Sequence, residues 1–86
     1  MAEYAITFAR SARRELENME RPLARRILAK IEEFVAEPRP VGCRKLKGSN
    51  NLWRLRVGDY RIVYTVDDSQ GLVDIVAVRH RSQVYR

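Results

Sequence analysis

Little in this chain can hold a metal or form a cross-link. It contains one cysteine, Cys43, and one histidine, His80. A single thiol makes no internal disulfide, and the two residues fall short of the usual zinc ligand set. Gly-rich phosphate loops and Ser-centred nucleophile elbows are absent. No metal and no cofactor is therefore expected. No stretch approaches the roughly 18 apolar residues of a membrane span. The opening Met-Ala-Glu-Tyr carries no basic segment followed by an apolar one, so no secretory signal is expected. These absences point to a cytoplasmic protein without membrane contact. No internal repeat, low-complexity segment or long disordered tail is visible. With 86 residues, a single domain over 1–86 is expected. It is small enough that a bound partner would add materially to its stability.

Acidic residues are scarce where basic ones are dense. Residues 1–38 hold seven basic and seven acidic side chains and are neutral. Residues 39–86 hold ten basic and only four acidic ones, so the whole net charge of +6 sits there. Such asymmetry suggests a polyanionic partner, nucleic acid first; the plainer alternative is a solubilising surface.

The chain reads as α+β. Residues 3–8 are rich in aromatic and β-branched types and predict a strand. Ala9, Ala12, Leu16 and Met19 recur at helical spacing, with Arg13, Arg14, Glu15 and Glu17 mostly outside. Pro22 suits the first turn of a second helix. Its buried stripe is Leu23, Ile27, Leu28, Ile31, Phe34 and Val35, and Pro38 and Pro40 end it. The two helices form an antiparallel hairpin that must cover a sheet. Residues 43–47 predict a short strand, followed by a turn at Gly48-Ser49-Asn50-Asn51. Alternation over 52–57 puts Trp53, Leu55 and Val57 on one face and Leu52, Arg54 and Arg56 on the other. Gly58-Asp59 is a hairpin turn into 60–66. A turn at 67–71 leads to a last strand over 72–78. The expected order is βααββββ, a mostly antiparallel sheet with a helical hairpin on one face.

The four acidic residues of the basic half, Asp59, Asp67, Asp68 and Asp74, suit turns better than a two-metal site, although Asp67-Asp68 leaves that open. Arginines are what the strands do offer. Arg54 and Arg56 share a face, and Arg61 lies just past a two-residue turn, placed to oppose them. Arg79 and Arg81 have matching parity at the end of the last strand. Like charges opposed on a sheet cost up to about 1 kcal/mol each, so a cluster on one face suggests a bound anion. The guanidinium fork matches phosphate oxygens in pairs. Phosphoryl chemistry without a metal needs such groups where negative charge grows, with an acid and a base nearby. His80 and Tyr85 are the titratable candidates. Lys45 and Lys47 suit backbone phosphate contacts or plain surface charge. Trp53, Tyr60 and Tyr64 suit core packing better than base stacking.

The runs Arg44-Lys45-Leu46-Lys47-Gly48, Leu52-Trp53-Arg54-Leu55-Arg56-Val57, Gly58-Asp59-Tyr60-Arg61-Ile62-Val63-Tyr64 and Arg79-His80-Arg81-Ser82-Gln83-Val84-Tyr85 resemble the RelE/ParE toxin superfamily over the whole chain. The resemblance implies a RelE-like fold and the toxin of a type II toxin–antitoxin system. It implies a metal-independent endoribonuclease acting on mRNA in the ribosomal A site, where the 2′-hydroxyl attacks the adjacent phosphate. Carried onto this sequence, Arg54, Arg56, Arg61, Arg79 or Arg81, and Tyr85 correspond to the site, with His80 as a further candidate. Arg44, Lys45 and Lys47 would hold RNA or the ribosome. The implied partner is a RelB-like cognate antitoxin in a hetero-oligomer. The alternative within the superfamily is a ParE-like inhibitor of DNA gyrase without ribonuclease activity. Arg54 and Arg56 stand where the best-known RelE-type sites have lysine. Arginine cannot give up its proton, so a base would have to be His80 or Tyr85, or the reaction would rest on positioning and charge.

Overall fold

A computed structural model describes residues 3–48 and 51–84, with the side chains of Gln83 and Val84 excepted. Its elements are β1 (Ala5–Phe8), α1 (Arg10–Glu17), α2 (Arg21–Glu33), β2 (Arg44–Lys45), β3 (Leu52–Val57), β4 (Tyr60–Asp67), β5 (Leu72–His80) and α3 (Arg81–Val84). The five strands form one sheet in the order β1-β5-β4-β3-β2. β1 runs parallel to β5, and the other neighbours are antiparallel. This is the expected βααββββ order with one addition, the short helix α3. The expected turn at 48–51 lies partly outside the described residues.

Alternation decides which face is buried. Leu55 and Val57, Ile62, Tyr64 and Val66, and Val73, Ile75 and Val78 pack against Ala12, Ile27, Ile31 and Phe34 of the helical layer. Phe34 stacks on Tyr64 with ring centroids 4.3 Å apart. The Tyr64 hydroxyl, buried with its ring, donates to the Pro38 carbonyl at 2.8 Å. That bond satisfies the one polar atom of the largest core side chain, and burial pushes its pKa up.

Several local expectations are corrected. α2 stops at Glu33, before the prolines, and Phe34 reaches the core as the residue that caps it. Leu28, placed in the buried stripe, is exposed, because the stripe's width is filled by Leu23, Ile27 and Ile31. β2 is only two residues long, so among the described residues its pairing with β3 ends at Arg54. Glu15 is not simply outside. β1 pairs with β5 only as far as Ile75, and α1 serves the bare edge that follows. Ser11 Oγ donates to the Val76 carbonyl at 3.0 Å, and Glu15 Oε1 accepts the Val78 N–H at 3.0 Å. Residues i and i+4 of a helix thus stand in for a neighbouring strand along i and i+2 of β5.

The hairpin between β3 and β4 sets the site. Val57 pairs with Tyr60 around a two-residue loop. Gly58 has φ of +60°, the glycine-favouring first position of a type II′ turn. That tight loop fixes the register in which Arg56 meets Arg61.

Candidate functional site

The face of the sheet away from the helices carries the arginines in two rows. Arg56 pairs with Arg61, and Arg61 pairs with Arg79, across three strands. One step along, Arg44 pairs with Arg54. Directly opposed residues lie roughly 4.5–5.5 Å apart at Cα, so each row concentrates like charge. Arg61, at the centre, is only 7% exposed, while Arg56 and Arg79 on either side are open to solvent.

Arg81 reaches this place by a route that parity did not foresee. β5 ends at His80 and Arg81 opens α3, so the strand alternation linking it to Arg79 is broken. The Arg81 N–H donates to the Asp59 carbonyl at 2.7 Å, which draws the start of α3 onto the hairpin tip. Arg56, Gly58, Asp59, Tyr60, Arg61 and Arg81 then line a recess of about 300 Å³. Among the described residues its lining includes three arginines and one acidic residue, a cationic balance that suits an anion.

His80 goes elsewhere. It pairs with Tyr60 in the register, one residue out of step with Arg79, and so belongs to the helix-side face. Its ring meets Tyr60 edge-on at 5.2 Å. Nδ1 accepts the Ser82 N–H at 3.2 Å and lies 2.9 Å from Ser82 Oγ. This is the work of a helix cap, and it engages the Nδ1 lone pair. Tyr85 lies outside the described residues.

The three flanking cations separate as well. Arg44 faces Arg54 and joins the arginine face, whereas Lys45 pairs with Trp53 and has the opposite parity. Lys47 is exposed in the turn after β2. A second recess of about 400 Å³ collects Arg44, Arg54 and Arg56 with Lys30 of α2, against Val41, Gly42 and Leu55. Sequence reading missed Lys30. Its signal was present: Arg26 and Lys30 are one helical turn apart, a like-charge pair that costs a helix stability.

The tandem acids have other duties. Asp67 accepts the Ser69 and Gln70 N–H groups at 3.0 and 3.1 Å and the Ser69 hydroxyl at 2.7 Å. These bonds hold its carboxyl below the usual range, that of the Ser69 side chain most. Asp68 accepts both nitrogens of the Arg39 fork, at 3.2 and 2.7 Å, and the Tyr4 hydroxyl at 2.6 Å. Arg39, then Tyr4, lower its pKa too. Arg39 also lies 5.2 Å over the Trp53 ring. This clasp ties the loop after α2 to the β4–β5 turn. Among the described residues, no three His, Cys, Asp or Glu side chains are grouped to hold a metal ion.

A helical hairpin on one face of a five-stranded sheet, with arginines crossing the other, defines a small basic α+β protein. The comparisons place it within that class. The profile of the family described as ParE toxin of type II toxin–antitoxin system, parDE, matches residues 6–85. Toxin RelG of Mycobacterium tuberculosis is 35% identical over 88 residues, covering 96% of this chain and 97% of the relative. Toxin RelE of the same organism is 32% identical over 88 residues, covering 96% and 87%. The archaeal RelE–RelB complex from Pyrococcus horikoshii superposes with a TM-score of 0.83 at 26% identity, over 94% of this chain and 98% of the other. The chain belongs to the RelE/ParE superfamily of type II toxin–antitoxin toxins.

Proposed function

We propose that this toxin is a metal-independent, ribosome-dependent endoribonuclease that cuts mRNA in the A site and so stops translation. The observation that carries the reading is the row Arg56–Arg61–Arg79 with Arg81 folded over its end. In the reaction the 2′-oxygen forms a bond to the adjacent phosphorus and the bond from phosphorus to the 5′-oxygen breaks. The products are a 2′,3′-cyclic phosphate and a 5′-hydroxyl. One proton leaves the 2′-hydroxyl and one is delivered to the 5′-oxygen. The guanidinium groups stabilise the charge that grows on the phosphate, the largest single contribution such a site can make. Arginine holds its proton throughout, and His80 is engaged as a cap on the other face. Positioning and charge therefore supply most of the acceleration, with Tyr85 the remaining candidate for acid–base work. Arg44 and Lys47 serve to hold RNA or the ribosome, and Lys45 does so only from the opposite parity. A RelB-like antitoxin is the expected partner, since relatives of this fold form RelE–RelB complexes, and the expected location is the cytoplasm.

The match to a family described by its ParE toxin supports a second reading, inhibition of DNA gyrase on the same fold. Two assays separate them. Inducing the toxin should stop protein synthesis, and primer extension should find cuts within translated mRNA. Purified toxin should cut RNA when programmed ribosomes are present and scarcely without them. Loss of gyrase supercoiling with mRNA left intact would establish the second reading instead.

A further inference from the structure

Among the described residues no strand pairs with the outer side of β3 beyond Arg54, and cations gather along that edge. β2 pairs Arg44 with Arg54 and Lys45 with Trp53, and the Leu46 N–H donates to the Leu52 carbonyl, so the cover ends at Arg54 on the side toward Val57. Past that point α2 runs beside the edge. Lys30 lines the 400 Å³ recess with Arg44, Arg54 and Arg56. One turn earlier, the Arg26 guanidinium comes within 3.8 Å of where a side chain at Gly58 would begin, and Gly58 lines the 300 Å³ recess. Arg56 lines both recesses. Among the described residues, the larger one is lined by four cations and no carboxylate. Glu33 lies 3.6 Å from Lys30 in an exposed pair, too weak an attraction to hold the ammonium away from an anion.

We propose that this larger recess is a second phosphate site, formed by Lys30, Arg44 and Arg54, that holds a phosphate flanking the reacting one on the same RNA strand. The inference rests on the ribonuclease reading. Arg54 and Arg56 stand two residues apart on one strand face, roughly 7 Å by strand rise. That is about one nucleotide step of an extended strand. The two recesses therefore accept consecutive phosphates, with Arg56 between them. A strand lying this way runs along the edge of β3 and leaves the scissile phosphate over Arg61. Lys30 gives the helix a role in substrate alignment that the strand arginines alone would not require.

The test uses the full chain and 2′-O-methyl oligoribonucleotides, which bind but cannot react. Anisotropy is read for a dinucleotide, with one phosphate, and a tetranucleotide, with three. Lys30→Ala and Arg44→Ala should weaken the tetranucleotide about threefold to fivefold, as expected for an exposed charge pair, and leave the dinucleotide unchanged. The log–log salt slope should become shallower by about 0.7 for each phosphate that is no longer neutralised. Arg10→Ala, on α1 over β5, removes equal charge and should change neither. Unchanged tetranucleotide affinity in both variants, or equal weakening for both lengths, overturns the second site. If only ribosome association weakens, the phosphate belongs to ribosomal RNA and the proposal fails in that form. Ribosome-dependent cutting is scored separately. Length-dependent binding without cutting would remove the ribonuclease reading and keep the site. Cutting without length dependence would do the reverse.

Discussion

At the scale of single residues, the arginine row is kept against its own electrostatics. Arg79 faces Arg61 directly, and like charges so placed destabilise a sheet by a few tenths to about 1 kcal/mol. Arg79 is exposed, so removing it opens no cavity. Arg79→Ala should therefore leave folding stability equal or slightly higher, read as the urea midpoint. The same change should slow single-turnover cutting on programmed ribosomes by about 10²–10³-fold, the cost of one preorganised charge-stabilising donor. Loss of stability with activity retained would make the row a structural feature. Arg61 would not report cleanly, because its side chain is buried and its loss would disturb packing as well as charge.

Among elements, α1 is a sheet component as much as a layer above the sheet. Glu15 accepts the Val78 N–H where no strand is present to do so. Glu15→Leu leaves that partly buried donor unmet, at about 1–3 kcal/mol. Glu15→Gln keeps an acceptor and should lose far less. Denaturant midpoints of the two variants check this, and equal midpoints would mean that water serves the edge as well. The helix period of residues 9–19 was plain in the sequence, yet Glu15's position was not. Amphipathic pattern reports which side is apolar; here a carboxylate turns inward to meet backbone. The β3–β4 hairpin was fully legible, because Gly58-Asp59 between alternating runs admits one register. From that register the meeting of Arg54, Arg56 and Arg61 on one face followed. Arg81 was placed beside Arg79 by strand parity, whereas the structure brings it to the hairpin tip at the start of α3. Strand parity carried past His80 could not foresee that the chain turns into α3. His80, offered as a titratable candidate without a face, lies across the sheet from Arg79, because neighbours in sequence on a strand point to opposite faces. Lys30 was missed because periodicity assigns a helix its faces but not the strand edge beside it, and its like-charge spacing from Arg26 was the one signal left to read.

On the scale of the whole molecule, the helical half is neutral and covers one face, while the basic half gathers its strand arginines on the other. Like charges opposed across that row cost stability, and an anion of the right shape would offset part of the cost. Inorganic phosphate is the simplest such anion. A ligand that binds only the folded state stabilises it by RT ln(1 + [L]/Kd), about 1.4 kcal/mol at nine times Kd. For a domain of this size each kcal/mol raises the melting midpoint by about 4–8 °C. Chloride at matched ionic strength screens the charges but cannot accept two guanidinium forks at once. Phosphate should therefore raise the midpoint well above chloride, by several degrees once the site is filled. Arg79→Ala should shrink that difference, because one wall of the row is gone. Replacing an arginine of the neutral half, such as Arg10 on α1, should not. Identical midpoints in the two salts would mean that the arginine face repels without binding, and that its order in the free protein owes nothing to anions.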